Sequence, residues 1–236
     1  MQTPVPDTAI RIAGISSMAT RQLLAELAAV YRKQYGVMVG FEAAGGVDAA
    51  KRVQAGEPFD MVVLAAAAIA KLVAAGRVAA DSKTDLAHSA VAIAVRTDSP
   101  RPDIASEEAL RCAVLAARTL GYSTGPSGVA LTRLFERWGI ADAVRGRSVQ
   151  APAGVPVGQL IAAGEVELGF QQYSEMMHLP GITVLGTMPP GCEIVTTFAA
   201  GLCTTSTQPE AVRALLAFLR SPAAADAKRR QGMNPA

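Results

Sequence analysis

Strand-like and helix-like stretches alternate along this chain, and four of the turns from one to the other are built of serine and glycine. The junctions are Ser16-Ser17, Gly45-Gly46, Ser127-Gly128 and Gly154 to Gly158. Alternation of this kind constrains the fold more than any other feature. Strands separated by helices return in the same direction, so the chain is predicted to be α/β with largely parallel sheets. The period-2 stretch Ala9 to Ile15 opens it. Leu23, Leu24, Leu27, Ala28 and Tyr31 then recur at helical spacing until Gly36. Val37 to Phe41 is predicted as the second strand, Asp48 to Gln54 as a short helix, and Met61 to Leu64 as a strand buried on both faces. Further strands are expected at Ala90–Val95, Thr119–Ser123, Val166–Gln171, Ile182–Leu185 and Glu193–Cys203, with a closing helix at Pro209–Leu219.

The junctions suggest a chemistry. A helix start carries unpaired N–H groups and about half a positive charge. Small residues let an anion approach that backbone, and a serine adds a hydroxyl donor. A chain can bind an anion in this way without basic side chains. That matters here, because 22 Lys+Arg stand against 20 Asp+Glu, a net charge of +2. No basic stripe marks a nucleic-acid partner. Half the residues are hydrophobic and 46 of the 236 are alanine, so the chain has enough apolar content for a packed core and too much for a disordered one.

Other chemistries find little support. There is no G-x-S-x-G elbow, no G-x-G-x-x-G and no phosphate loop, so neither a serine hydrolase nor a cofactor is indicated. Cys112, Cys192 and Cys203 form no C-x-x-C pair, and with two histidines no metal site is expected. The cysteines are read as small buried hydrophobes, with a Cys192–Cys203 disulfide left open. The longest uncharged apolar run, Met61 to Ala70, is too short to span a bilayer. Met1 to Asp7 reads as a short tail with prolines at 4 and 6, and no leader pattern is present. The expected location is periplasmic if a leader has been removed, and cytoplasmic otherwise.

Gln171, Gln172 and Tyr173 end a strand, where parallel sheets place their ligands. Strand alternation allows at most one of the two amides to face a ligand. Glu175 is a candidate base but is read as a surface or capping residue. His88 and His178 are read as loop histidines, Trp138 as core, and Arg96 and Arg101 as cations that nothing places in a cleft.

The segments IRIAGISSM, FEAAGGVDAAKRVQAGEPFDMVVL, GYSTGPSGVALTRLFERWGI and VELGFQQYSEM, with TTFAAG and the closing ALLAFLRSPAAADAKRRQGMNPA, resemble the molybdate-binding-protein-like family of extracellular solute-binding proteins. The likeness runs from residue 9 to 235. It implies a type II periplasmic-binding-protein fold: two α/β lobes, residues 8–87 plus 197–236 and residues 88–196, with a ligand cleft between them. It also implies a monomer that delivers a small anion to an ABC importer permease. The family's first hydroxyl falls on Ser17, with Ser16 beside it. Its second serine falls on Gly46, which keeps an N–H and loses the hydroxyl. A third donor falls on Ser127. A backbone donor falls on Pro156, which has no N–H. Its tyrosine falls on Gln172, with Tyr173 next door. The pattern ELGxQQ…PGxxxxGxxP is similar to a subgroup that binds small organic anions and includes aconitate isomerase, an enzyme on the same scaffold. The ligand-binding set expected is therefore Ser16, Ser17, Gly45, Gly46, Ser127, Gly128, Pro156, Gln172 and Tyr173. An organic carboxylate is expected over molybdate, with isomerisation of an unsaturated acid as the alternative.

Overall fold

A computed structural model describes residues 10–236. The predicted N-terminal tail, and Ala9 of the predicted first strand, lie outside them. The elements follow in the order β1 (Arg11–Ser17), α1 (Arg21–Tyr35), β2 (Met38–Ala44), α2 (Gly46–Ala55), β3 (Met61–Ala65), α3 (Ala66–Ala74) and β4 (Thr84–Arg96). Then come α4 (Glu107–Ala116), β5 (Leu120–Tyr122), α5 (Pro126–Arg137), α6 (Ala141–Arg145), β6 (Ser148–Gln150), α7 (Val157–Ala162), β7 (Leu168–Gln172) and α8 (Tyr173–Met176). The chain closes with β8 (Ile182–Thr187), β9 (Val195–Leu202), α9 (Pro209–Arg220), α10 (Ala225–Arg230) and β10 (Asn234–Pro235). The fold is α/β.

The strands lie in the order β2-β1-β3-β9-β4-β7-β5-β6, with β8 and β10 both pairing β4. At each end of this order the neighbours are parallel: β1 with β2 and β3, and β5 with β6 and β7. In the middle they are antiparallel, where β9 runs between β3 and β4 and β4 meets β7. The prediction of Ala90–Val95 captures only the second half of β4. Its first half, Thr84 to Ala90, pairs with β9, and Val91 onward pairs with β7 and β8. One strand thus serves both parts of the sheet.

Burial follows the pattern of the sequence. Leu23, Leu24, Leu27 and Tyr31 of α1 pack on Ile12, Met61 and Val63 beneath α9. Gly36 ends α1 at φ +73°, where a side chain is strained, and its N–H closes on the Arg32 carbonyl. On the opposite face Ile15 and Val62 pack against Val53 of α2 and Ile69 of α3. A second pair of clusters flanks the other strands: Leu110, Leu131, Phe135 and Phe170 on one face, and Val157, Ile161 and Val166 on the other. Each buried leucine or phenylalanine contributes about 1.5–3 kcal/mol.

Two expectations are corrected. The second strand, predicted to end at Phe41, runs on through Ala43 and Ala44, because their backbone pairs with Ser16 and Ser17. Cys112 is exposed rather than buried, while Cys192 and Cys203 are buried and free, with no disulfide between them. Among the described residues no helix is long and apolar enough to cross a membrane.

Candidate functional site

The strand ends of both parts of the sheet face one cleft of about 570 Å³. One wall is formed by Ser17 and the 3-10 turn after it, by Gly45 and Gly46 at the start of α2, and by Ala65 to Ala68 at the start of α3. The other wall is formed by Ser123 to Ser127 at the start of α5, by Pro152 to Pro156 before α7, and by Gln171, Gln172 and Glu175. The walls approach each other closely at one lip. A side-chain carbon at Gly45 would stand 3.8 Å from the backbone nitrogen of Gly154.

Helix starts supply the donors. The first N–H groups of α2 and α3 have no acceptor within their own helices. In α5, Pro126 lacks an N–H and Gly128 donates to the Gly125 carbonyl at 3.0 Å, which leaves the Ser127 N–H without a helical acceptor. The Ser127 hydroxyl lies 3.0 Å from that of Ser123, so the two are fixed together at the cleft edge. Ser17 stands at the end of β1, its hydroxyl 3.5 Å from that of Thr20.

Of the expected residues, the cleft gathers Ser17, Gly45, Gly46, Ser127, Pro156 and Gln172. Ser16, Gly128 and Tyr173 do not line it. Ser16 projects to the opposite face of β1, with Ile12, and its buried hydroxyl has no partner. Gly128 is buried where α5 crosses Ser123: a side chain there would collide with the Ser123 carbonyl oxygen. Tyr173 turns away from the cleft, and its ring closes on Gly232.

Three departures from the sequence reading change the chemistry. First, both amides line the cleft, because β7 stops at Gln172 and the chain turns at once into α8. The Gln172 Nε2 donates to Thr196 Oγ1 at 2.7 Å, while its Oε1 is buried without a partner. Second, Pro156 caps α7 without a donor, and the next N–H, from Val157, is consumed by Gln171 Oε1 at 2.7 Å. The fourth junction therefore offers little to an anion. Third, Glu175 is no surface residue. Its side chain is half-buried, opens on the cleft, and accepts from Gln171 Nε2 at 2.8 Å. Burial pushes its pKa up to about 7, against the opposing pull of the Gln171 amide and the Arg21 charge.

Lys51 of α2 and Lys71 of α3 also line the cleft, both at its exposed rim. The sequence reading missed them. Their spacing from the helix starts, about one turn or more, was the available signal. Elsewhere, His88 Nδ1 lies 3.0 Å from Thr197 Oγ1 in the β4–β9 ladder, and His178 is exposed. Trp138 is half-buried and donates to Glu107 at 2.6 Å. Neither histidine and neither Arg96 nor Arg101 lines the cleft.

Two α/β parts, antiparallel crossing strands, and a cleft at their helix starts define the type II periplasmic-binding-protein fold. The chain belongs to the bacterial extracellular solute-binding protein family, whose model matches residues 11–234. It is 38% identical to aconitate isomerase of Pseudomonas sp. over 227 residues, which span 94% of this chain and 86% of that protein. The periplasmic molybdate-binding protein of Azotobacter vinelandii superposes with a TM-score of 0.79 at 17% identity, covering 94% of this chain and 98% of that one. The sulfate-binding protein SubI of Mycobacterium tuberculosis superposes with a TM-score of 0.78 at 18% identity, covering 96% and 87%.

Proposed function

We propose that this chain binds a small organic acid carrying two or more carboxylates. In this reading, residues 8–87 plus 197–236 and residues 88–196 act as lobes that close over the ligand and exclude water. One observation carries it: the uncommitted helix starts and serines of the cleft face a space with two lysines, Lys51 and Lys71, at its rim. One carboxylate is received by the N–H groups of α2 and α3 with Ser17 and Ser127. A second meets a lysine. A volume of about 570 Å³ suits a molecule larger than a single tetrahedral oxyanion. Such an oxyanion also finds fewer donors here, since Gly46 has no hydroxyl, Pro156 has no N–H and the Val157 N–H is taken. In the setting usual for this family, the ligand passes to an ABC importer. Calorimetric titration with tricarballylate, trans-aconitate, sulfate and molybdate tests the reading. Micromolar or tighter carboxylate binding is expected; nanomolar molybdate binding with no carboxylate binding overturns it.

A second reading is favoured by a specific pair of observations. The 38% identity to an aconitate isomerase extends over almost the whole chain, and the cleft holds a carboxyl group poised near neutrality. Isomerisation of an unsaturated polycarboxylate needs such a group to take and return a proton. Incubation with trans-aconitate, followed by proton NMR, is expected to show the cis isomer. Absence of turnover over hours at micromolar protein would sink this reading and leave the binding one intact.

A further inference from the structure

Glu175 is the single acidic side chain lining the cleft among the described residues. Its surroundings are built rather than incidental. Gln171, 2% exposed, is tied at both ends of its amide. Its Oε1 accepts from the Val157 backbone and its Nε2 donates to Glu175 Oε2. An amide committed on both sides cannot turn, so it fixes one oxygen of the carboxyl and with it the rotamer. The other oxygen, Oε1, has no hydrogen-bond partner among the described residues. The cations lining the cleft, Lys51 and Lys71, belong to the opposite wall, on α2 and α3. The cleft is therefore polarised in charge: both lysines stand on the wall of α2 and α3, and the held carboxyl stands on the wall of β7 and α8.

We infer that Glu175 carries the proton in a 1,3-shift within an unsaturated polycarboxylate whose carboxylates lie against α2, α3 and their lysines. The inference rests on the isomerase reading above and assigns its reacting group. The Glu175 carboxylate takes a proton from the methylene carbon next to the double bond. The C–H electron pair forms a new double bond to the central carbon, and the old π pair moves to the far carbon, its charge spreading into the carboxylate there. The Glu175 carboxyl then returns the proton to that far carbon. The double bond has moved by one position, and neither an oxidant nor a co-reactant is consumed. Because one carboxyl serves both carbons, removal and return occur on the same face of the ligand. Burial suits the group to both halves of the cycle, since acid and base forms are each populated near neutral pH.

The test is proton NMR of trans-aconitate in deuterated buffer with wild type and E175Q, alongside calorimetric titration of both with tricarballylate, the saturated analogue. Wild type is expected to form the cis isomer and to exchange methylene protons for deuterium. E175Q is expected to lose both by about 10²–10⁴-fold while binding tricarballylate within a few-fold of wild type. E175Q turning over at the wild-type rate overturns the assignment and leaves the isomerase reading standing. Wild type that binds aconitate with neither turnover nor exchange overturns both. If E175Q does not melt cooperatively, E175D decides: it keeps the carboxyl but withdraws it by one methylene, and the assignment requires kcat to fall at least tenfold.

Discussion

The hydroxyl of Ser174 donates to the carbonyl oxygen of Ala19 at 2.9 Å, in a buried bond between residues 155 positions apart. Ser174 lies in α8, beside Glu175, and Ala19 lies in the turn that follows Ser17. The bond therefore ties the two walls of the cleft directly to each other. In S174A the buried Ala19 carbonyl loses this donor, at a cost of about 1–3 kcal/mol. Calorimetry should show a Tm lower by roughly 2–10 °C, and ligand affinity should weaken with it. An unchanged Tm would mean that water replaces the hydroxyl and the tie is dispensable.

Glu175 gives stability a pH dependence of unusual sign for a carboxylate. A pKa raised from 4.5 to about 7 means that the folded chain holds more protons than the unfolded one between those values. The contribution of this group is greatest below pH 4.5, falls as pH rises through 7, and is constant above. The loss amounts to about 1–3 kcal/mol, softened because the carboxyl opens on the cleft. E175Q has nothing there to titrate. Urea denaturation of the unliganded proteins at pH 5.5 and pH 8 should find the variant the more stable by about that amount at pH 8, with a clearly smaller gap at pH 5.5. A gap of equal size at both pH values contradicts the assignment.

Gly128 is expected to tolerate no side chain. The atom it would meet is the backbone oxygen of Ser123, which cannot swing aside as a side chain can. G128A must displace either α5 or the Ser123–Ser127 loop, at about 1–3 kcal/mol or more. Because that loop lines the cleft, affinity for any ligand should drop by more than about tenfold, together with Tm. Differential scanning calorimetry and titration on the same sample separate the two losses.

Gly46 is the reverse case. A side-chain carbon there would meet Ser17 Cβ at 3.8 Å, an ordinary contact, so G46S should fold without strain. The added hydroxyl stands beside Ser17 at the start of α2 and gives an anion one more donor. Sulfate or molybdate affinity should rise by about 3–10-fold, the worth of a typical hydrogen bond. If titration finds no gain, the anion lies away from α2.

What could be read from the chain before any coordinates is uneven, for physical reasons. The α/β order was legible, because burial imposes period 2 on strands and 3.6 on helices. The cleft positions of Ser17, Gly46 and Ser127 were legible too, because in parallel sheets strand-to-helix turns share one edge. Choosing between neighbours was harder. Ser16 and Ser17 differ only in which side of β1 they face, and sequence does not number the faces. Gln171 and Gln172 both reach the cleft because β7 ends between alternation and helix, which no periodicity foretells. Glu175 looked like a surface residue since α8 is a single turn of helix, too short to show a buried side. Lys51 and Lys71 sit on the outward stretches of their helices, and their reach over the rim is a property of the opposite wall's distance.

The shared strand β4 also dictates when the protein can be finished. Met61 in β3 finds its antiparallel partner, Leu202, only after the whole intervening stretch has been made. During synthesis the early strands β1, β2 and β3 therefore emerge with one edge of β3 uncovered, and that edge stays open until β9 leaves the ribosome. The later strands pair with the second half of β4, whose first half awaits that same β9. A late strand thus joins the two parts of the sheet, and a chain truncated before Val195 carries most of the cleft but not the strand that joins its walls.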